Sequence, residues 1–222
     1  MASSDKYRSY LNQDDVKNII TWRFGSTPNY DAVNKLFEDG RTKIWPSGSL
    51  EDKVQNIVKT WEMEMFHKVN FDDFKQVDPV NYRFSLNKTI INGREKRAWR
   101  RLQHLAAFDP AKETIDSSHR AFTTAFPRGF ALEILRVYSG PPEIVYKFRH
   151  WGFMEGPFKG HSPTGEMVEF FGMAIFEVDE NSKVVKVEFF YDRGELLAAL
   201  IKGENVGDEI SGSSCPFLRN TG

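Results

Sequence analysis

The chain has 222 residues, 40% hydrophobic and 27% charged, with 30 basic and 31 acidic side chains for a formal charge of -1. That length buries one substantial core and fits a single domain with decorated ends, and the balanced charge excludes a global field for nucleic acid, an anionic membrane or acidic substrates. The single cysteine, Cys215, excludes an intrachain disulfide and a thiolate metal cluster, and the longest apolar run, Leu196 to Ile201, is far short of the ~20 residues of a spanning helix.

The N-terminal MASSDKYRSY lacks the apolar centre of a secretory signal, so a cytosolic protein is expected. Aromatics reach 14% and Phe alone contributes 19 residues, enough to line an apolar cavity as well as fill a core.

Residues 1–48 are polar and irregular, with Trp22, Phe24, Tyr30 and Trp45 set among Gly25, Pro28, Pro46 and Gly48. Isolated aromatics between turn residues predict an arm laid over the domain. Within it, Tyr30, Val33, Leu36 and Phe37 fall at helical spacing before Gly40, which predicts a short docked helix. Ser49 then stands as an N-cap, with Glu51 and Asp52 in the first turn of a helix running to His67. Val54, Ile57, Val58, Trp61 and Met65 make its apolar stripe. Met63, Phe66 and His67 broaden the C-terminal end, either as core packing or as a ligand-facing cluster.

Further on, Tyr82, Phe84 and Leu86 alternate with Arg83, Ser85 and Asn87, which predicts a half-buried strand. REKRAWRRLQHLAAF (94–108) reads as an amphipathic helix with a cationic face, solvated or touching phosphates. SSHRAFTTAF predicts a short helix ended by Pro127, and a strand from Phe130 to Tyr138 leads to the turn SGPP. Three strands then fill Glu143 to Asp192, followed by the helix RGELLAAL and, from Gly203, a tail too polar to pack.

Alternation splits each of these strands into two rows. Ile144, Tyr146, Phe148 and His150 oppose Val145, Lys147, Arg149 and Trp151; Val168, Phe170, Gly172, Ala174 and Phe176 oppose Met167, Glu169, Phe171, Met173 and Ile175. In the third strand, Val187, Phe189 and Tyr191 oppose Glu188, Phe190 and Asp192. Gly172 in mid-strand predicts a bulge or bend. The direction of Glu188 and Asp192 decides between catalysis and association. His67, His104, His119 and His161 show no spacing that would make a zinc site with a carboxylate, so neither metal nor cofactor is expected.

From Pro127 onward, an FP turn, a strand, a short turn, a strand ending in Gly, a loop ending PTG, two long strands and RGELLAAL follow in order. This succession resembles the SnoaL-like branch of the nuclear transport factor two-like superfamily. WEMEMFHK, AFTTAFPRGFALEIL, VYSGPP and VYKFRHWGFMEGPFKGH resemble, more narrowly, the plant pathogen-related proteins. The resemblance implies an α+β fold, a cone-shaped curved antiparallel sheet wrapped around N-terminal helices with an internal pocket: an arm over 1–48, a cone domain over 49–202 and a flexible tail over 203–222.

It also implies a plant defence-associated protein whose pocket binds a hydrophobic specialised metabolite (terpenoid, polyketide or alkaloid) and supports its biosynthesis. The lining expected is Trp61, Met65, Phe148, Phe171, Met173 and Phe189. The alternatives are an isomerase or cyclase moving a proton with His150, Tyr146 and Asp192, and a non-catalytic accessory protein that holds a biosynthetic enzyme; members of the superfamily also pair as homodimers through the sheet. The family's Gly-Thr-His loop appears here as GFMEG, without its histidine, leaving Glu155 as the polar group of that loop. Asp192 serves either as a base or as a cap of the following helix.

Overall fold

The computed structural model describes residues 5–11, 20–87, 89–92 and 115–205. The elements are α1 (Asp31–Gly40), α2 (Leu50–His67), a 3-10 turn (Phe71–Asp73), β1 (Arg83–Leu86), β2 (Thr89–Asn92), α3 (Ile115–Ala125), β3 (Ala131–Ser139), β4 (Glu143–Phe153), β5 (Met167–Val178), β6 (Val184–Tyr191) and α4 (Arg193–Leu200). The basic segment 94–108 and Cys215 lie outside the described residues.

One sheet of six strands, in the order β2-β1-β6-β5-β4-β3, carries the fold. β3 to β6 form an antiparallel meander, as adjacent strands joined by short turns must. β1 departs from the all-antiparallel expectation, because it reaches β6 after a long excursion and pairs with it in parallel. β2, which the sequence pattern does not announce, closes the edge as the antiparallel partner of β1.

α2 lies against the concave side of this sheet. Ser49 Oγ accepts from the Asp52 N–H at 3.2 Å, while Asp52 Oδ2 accepts from Gly48 N–H at 2.9 Å, so the first turn is capped from both sides. Val54, Val58, Trp61 and Met65 are buried as one stripe. The Trp61 ring meets Phe176 at 5.3 Å and Phe189 at 5.6 Å, and its Nε1–H donates to the Tyr82 hydroxyl at 3.0 Å, so the indole is buried without an orphaned donor.

The opposite flank of α2 is polar yet equally buried. Lys68 Nζ donates to Glu64 Oε1 at 2.7 Å and to the Asp73 carbonyl at 2.7 Å. Glu64 also accepts the backbone N–H groups of Lys75 at 2.8 Å and Gln76 at 2.9 Å. These bonds fix residues 73–76, and the Gln76 carbonyl then accepts from Val184 N–H at 2.8 Å at the start of β6. The buried pair thus registers the helix against the sheet edge.

The arm covers part of the convex side. Phe37 of α1 packs on Trp151, with ring centroids 6.2 Å apart. Glu133 of β3, fully buried, draws the chain after α1 down by accepting Thr42 N–H at 2.5 Å and Lys43 N–H at 2.6 Å. Trp45 Nε1 donates to the Ile134 carbonyl at 2.9 Å. Residues 5–11 continue along α2, where Ser9 N–H donates to Thr60 Oγ1 at 2.9 Å.

The sheet bends at bulges in β3, between Ile134 and Arg136 and between Val137 and Ser139, and at Glu177/Val178 of β5. Gly172 is not among them: the β4 register runs unbroken through it, and the pairing with β6 begins there, opposite Tyr191. Its glycine serves a close approach instead: a Cβ there would stand 2.4 Å from the Phe148 ring and 2.7 Å from the Phe190 carbonyl.

Two stability outcomes follow from these contacts. Gly172→Ala forces the Phe148 ring aside and is expected to cost about 1–3 kcal/mol, read as a lower urea midpoint at unchanged slope. Glu64→Ala leaves Lys68 as an uncompensated buried charge and is expected to cost about 3–5 kcal/mol. A Glu64→Ala midpoint within error of the wild type would show that the pair does not hold the helix to the sheet edge.

Candidate functional site

Strand alternation and register together assemble the concave face. Phe148, Gly172 and Tyr191 lie side by side across β4, β5 and β6; His150 and Phe170 form the next rung, and Tyr146, Ala174 and Phe189 the one before it. The rings interlock as a continuous layer. Phe130, just ahead of β3, stacks on His150 at 5.6 Å; His150 stacks on Phe170 at 5.3 Å; Phe170 meets Tyr191 at 4.8 Å. Phe148 stands edge-on to His150 at 5.4 Å and to Phe189 at 5.6 Å. Phe130, His150, Phe189 and Tyr191 keep part of their surface uncovered, whereas Tyr146 and Phe148 are buried.

Three polar atoms are enclosed in this layer without a hydrogen-bond partner: His150 Nδ1, the Tyr146 hydroxyl and the Tyr191 hydroxyl. Enclosed polar atoms are nearly always paired, so a group of three on one face marks a place where a partner belongs. Burial pushes the His150 imidazole down to about 3, against the opposing hold of the Ala131 carbonyl, and the nearby Lys59 charge pushes it further. It is therefore neutral at physiological pH. Burial drives both phenols upward, at Tyr146 with help from Glu62 and Tyr82, so both keep their protons and remain donors.

The structure brings Trp61, Met65, Phe148 and Phe189 of the expected lining together with His150 and Tyr146 in one apolar core. It separates Phe171 and Met173 from them. These two pair across β4 with Arg149 and Lys147, so they project from the convex face; Phe171 is 43% exposed, with the Lys147 ammonium 5.8 Å from its ring. Both rows of β5 are apolar, and composition alone could not say which one faces inward.

The two expected carboxylates also point elsewhere. Asp192 is exposed and caps α4, accepting from Gly194 N–H at 2.8 Å and Glu195 N–H at 3.4 Å. Glu188 shares the convex row with Ile175 and pairs with Lys186 at 2.9 Å. Glu155 forms an exposed ion pair with Arg128 at 2.7 Å. None of the three joins His150.

Sequence reasoning missed Phe130, Phe170 and Tyr191 as lining, and the buried Lys59 and half-buried Glu62 on α2. Burial lowers the Lys59 ammonium well below its ordinary range and raises the Glu62 carboxyl, which Arg8 and Lys59 partly offset. Lys59 lies 3.2 Å from the Phe37 centroid and 4.5 Å from that of Tyr7, beneath the arm. The signal was present: a helix with Met63, Phe66 and His67 outside its stripe is covered on more than one side, so its charged residues are covered too. His67 and His119 also meet, 5.6 Å apart, with Phe24 stacked on His119 at 4.6 Å. A recess of about 360 Å³ between the arm and α2, lined in part by Lys6, Tyr7, Asp52 and Asn56, shares no residue with the ring layer.

No family model matches the chain. Among solved structures, the chain is similar to a protein assigned as a SnoaL-like polyketide cyclase from Jannaschia sp. CCS1, at 16% identity and a TM-score of 0.40 over 72% of this chain and 100% of that one. It is also similar to a protein assigned as a polyketide cyclase from Acidithiobacillus ferrooxidans, at 15% identity and a TM-score of 0.43 over 72% of this chain and 100% of that one. The relationship at sequence level is far stronger. A pathogen-related protein of Hordeum vulgare is 50% identical over 230 aligned residues, covering 98% of this chain and 97% of the barley protein. An identity of that size across the arm, the helices and every strand of the sheet means that the chain belongs to the pathogen-related protein family.

Proposed function

We propose that the concave face binds a hydrophobic small molecule, a plant specialised metabolite of terpenoid, polyketide or alkaloid type, and that the protein supports its biosynthesis in the cytosol as a binder. The observation that carries this reading is the trio of enclosed, unpartnered polar atoms set in a layer of aromatic rings. Apolar walls with a few fixed polar groups are the usual make-up of a small-molecule site.

The same chemistry weighs against an isomerase or cyclase built on His150, Tyr146 and Asp192. A general base works best when its pKa lies near the working pH. An imidazole pushed down to about 3 holds a proton too weakly to abstract one from carbon at neutral pH. Asp192 is engaged as a helix cap, and so does not supply the missing basicity.

The convex face supports a second element of the proposal. Phe171 and Met167 are exposed there, beside the charged group Lys147, Arg149 and Glu169. An apolar patch rimmed by both signs of charge suits pairing with a second copy or with a biosynthetic enzyme.

Fluorescence titration with the apolar probe N-phenyl-1-naphthylamine tests the binding reading. The wild type is expected to enhance the probe's emission saturably. Phe189→Ser, which removes a ring from the concave face, is expected to weaken binding about tenfold or more, and Phe171→Ser on the convex face to leave it unchanged. Absence of saturable enhancement in the wild type, or equal loss in both variants, would overturn the proposal.

The acid limb of stability tests the state of the histidines. The folded pKa of His150 is pushed down to about 3, as is that of His67, against an ordinary value of about 6.5. The unfolded chain therefore binds more protons between these values, so stability is fullest above about pH 6.5 and falls as the pH drops toward 3. His150→Phe is expected to flatten the fall in urea midpoint between pH 7 and pH 4. A slope identical to the wild type would show that the imidazole is not held neutral.

A further inference from the structure

α2 has a second face besides the one it turns to the sheet. Asp52, Gln55, Asn56 and Lys59 recur at i, i+3, i+4 and i+7 and form a stripe that is polar throughout. The arm closes over this stripe and buries two of its members: Gln55 keeps 5% of its surface and Lys59 keeps 2%. Among the described residues, neither the Gln55 amide nor the Lys59 amine makes a hydrogen bond, and Lys59 has no carboxylate within ion-pair distance. Buried polar groups are nearly always paired, and buried charges more strictly so. Lys59 Nζ has rings about it instead, with the Phe37 centroid at 3.2 Å and that of Tyr7 at 4.5 Å. Burial, with Arg8 adding to it, lowers the amine well below its ordinary range, and Glu62, Asp5 and Glu38 oppose this only in part. Both observations favour the uncharged amine, whose lone pair is what makes a lysine nucleophilic.

The recess of about 360 Å³ between the arm and α2 adjoins this pair. Its volume lies at the low end of the range for small-molecule sites. Gln55 lines it directly, together with Ser9, Asn56 and Ile57. Tyr7 is common to the recess and the amine: it walls the first and stands 4.5 Å from the second. Lys59 lies one helical turn beyond Gln55, and long side chains on a helix lean back toward its N-terminus, here over residues 55 and 56. The four-carbon stem of a lysine is flexible, so Nζ enters the recess by swinging past the edge of the Tyr7 ring. Side-chain rotation of this kind is common when ligands bind.

We propose that this recess is a carbonyl site: a small aldehyde or ketone enters it, and the Lys59 amine condenses with the carbonyl carbon to a Schiff base while the Gln55 amide N–H holds the carbonyl oxygen. The Nζ lone pair forms the new C–N bond as the C=O π pair moves onto oxygen. Both Nζ protons pass to that oxygen, which departs as water and leaves a C=N bond. The condensation consumes no oxidant, reductant or metal. The recess shares no residue with the ring layer, so this site stands apart from the binding function proposed above.

Reductive trapping on the whole chain tests this. The protein is mixed with butanal and sodium cyanoborohydride at pH 7, and the alkylated lysines are located and timed by peptide mass spectrometry. An ordinary exposed lysine is uncharged at that pH in only about one molecule in 10³. Lys59 is therefore expected to take the label faster than the exposed Lys35 and Lys147, by about tenfold or more. Gln55→Met, checked for folding by circular dichroism, is expected to slow labelling at Lys59 about tenfold and to leave Lys35 unchanged.

The wild-type comparison requires no variant and is decisive by itself. Absence of label at Lys59 in the folded protein, or a rate there no higher than at Lys35, overturns the site and shows that the amine is held as a charge between the Phe37 and Tyr7 rings. Fast labelling of Lys59 that persists in folded Gln55→Met overturns the part given to the amide. Phe189→Ser, which alters only the ring layer, is expected to leave labelling of Lys59 unchanged; a parallel loss in that variant overturns the separation of the two sites.

Discussion

The contact of Trp61 with the concave side of the sheet is the constraint on which the rest of the structure depends. Every strand from β3 to β6 offers two rows of side chains, and in β5 both rows are apolar. α2 decides between them, because its capped first turn and its stripe from Val54 to Met65 give it one face that must be covered. Once the indole sits against Phe176 and Phe189, the row Val168, Phe170, Ala174 and Phe176 becomes interior. Phe171 and Met173 are thereby turned out.

That choice also sets the electrostatics. Turning inward the row of β4 that contains Tyr146 and His150 buries the first and half-buries the second, and desolvation is the first cause of the shift at each. The phenols are held protonated and the imidazole neutral. A face of this kind carries polar groups yet lacks one basic enough for proton abstraction. The two carboxylates that would have made the enzyme reading attractive belong to the other row or to the start of α4, so the same packing decision that formed the ring layer also excluded them from it.

The arm extends the logic to the convex side. Glu133 lies directly beneath the chain leaving α1 and binds its N–H groups, while Trp151 receives Phe37. Part of the outer face is thereby closed by the chain's own N-terminal segment, and Phe171 is left open. The Glu64–Lys68 pair does similar work at the other edge, where buried charge is tolerable because both partners also bond the backbone: Lys68 to the Asp73 carbonyl, Glu64 to the N–H groups of Lys75 and Gln76.

The sequence by itself determined the elements with strong local signals. The N-cap Ser49 and the stripe of α2, the short helix around Leu36 and Phe37, and the alternation of β1 and the three long strands all depend on neighbours within a few residues. It also determined the family, since long ordered segments are shared with relatives. Other features were decided only by tertiary structure. The pairing partner of β1, the existence of β2, the true role of Gly172 and the inward row of β5 depend on residues far apart in the chain. So do the burial of Lys59 and the enclosure of His150 Nδ1 without a partner. Period two divides a strand into faces without naming the inner one. A pKa follows from what surrounds a group in space, and for His150 that means Phe130, Ala131, Phe170 and Lys59, which the chain brings together only when the sheet closes over α2.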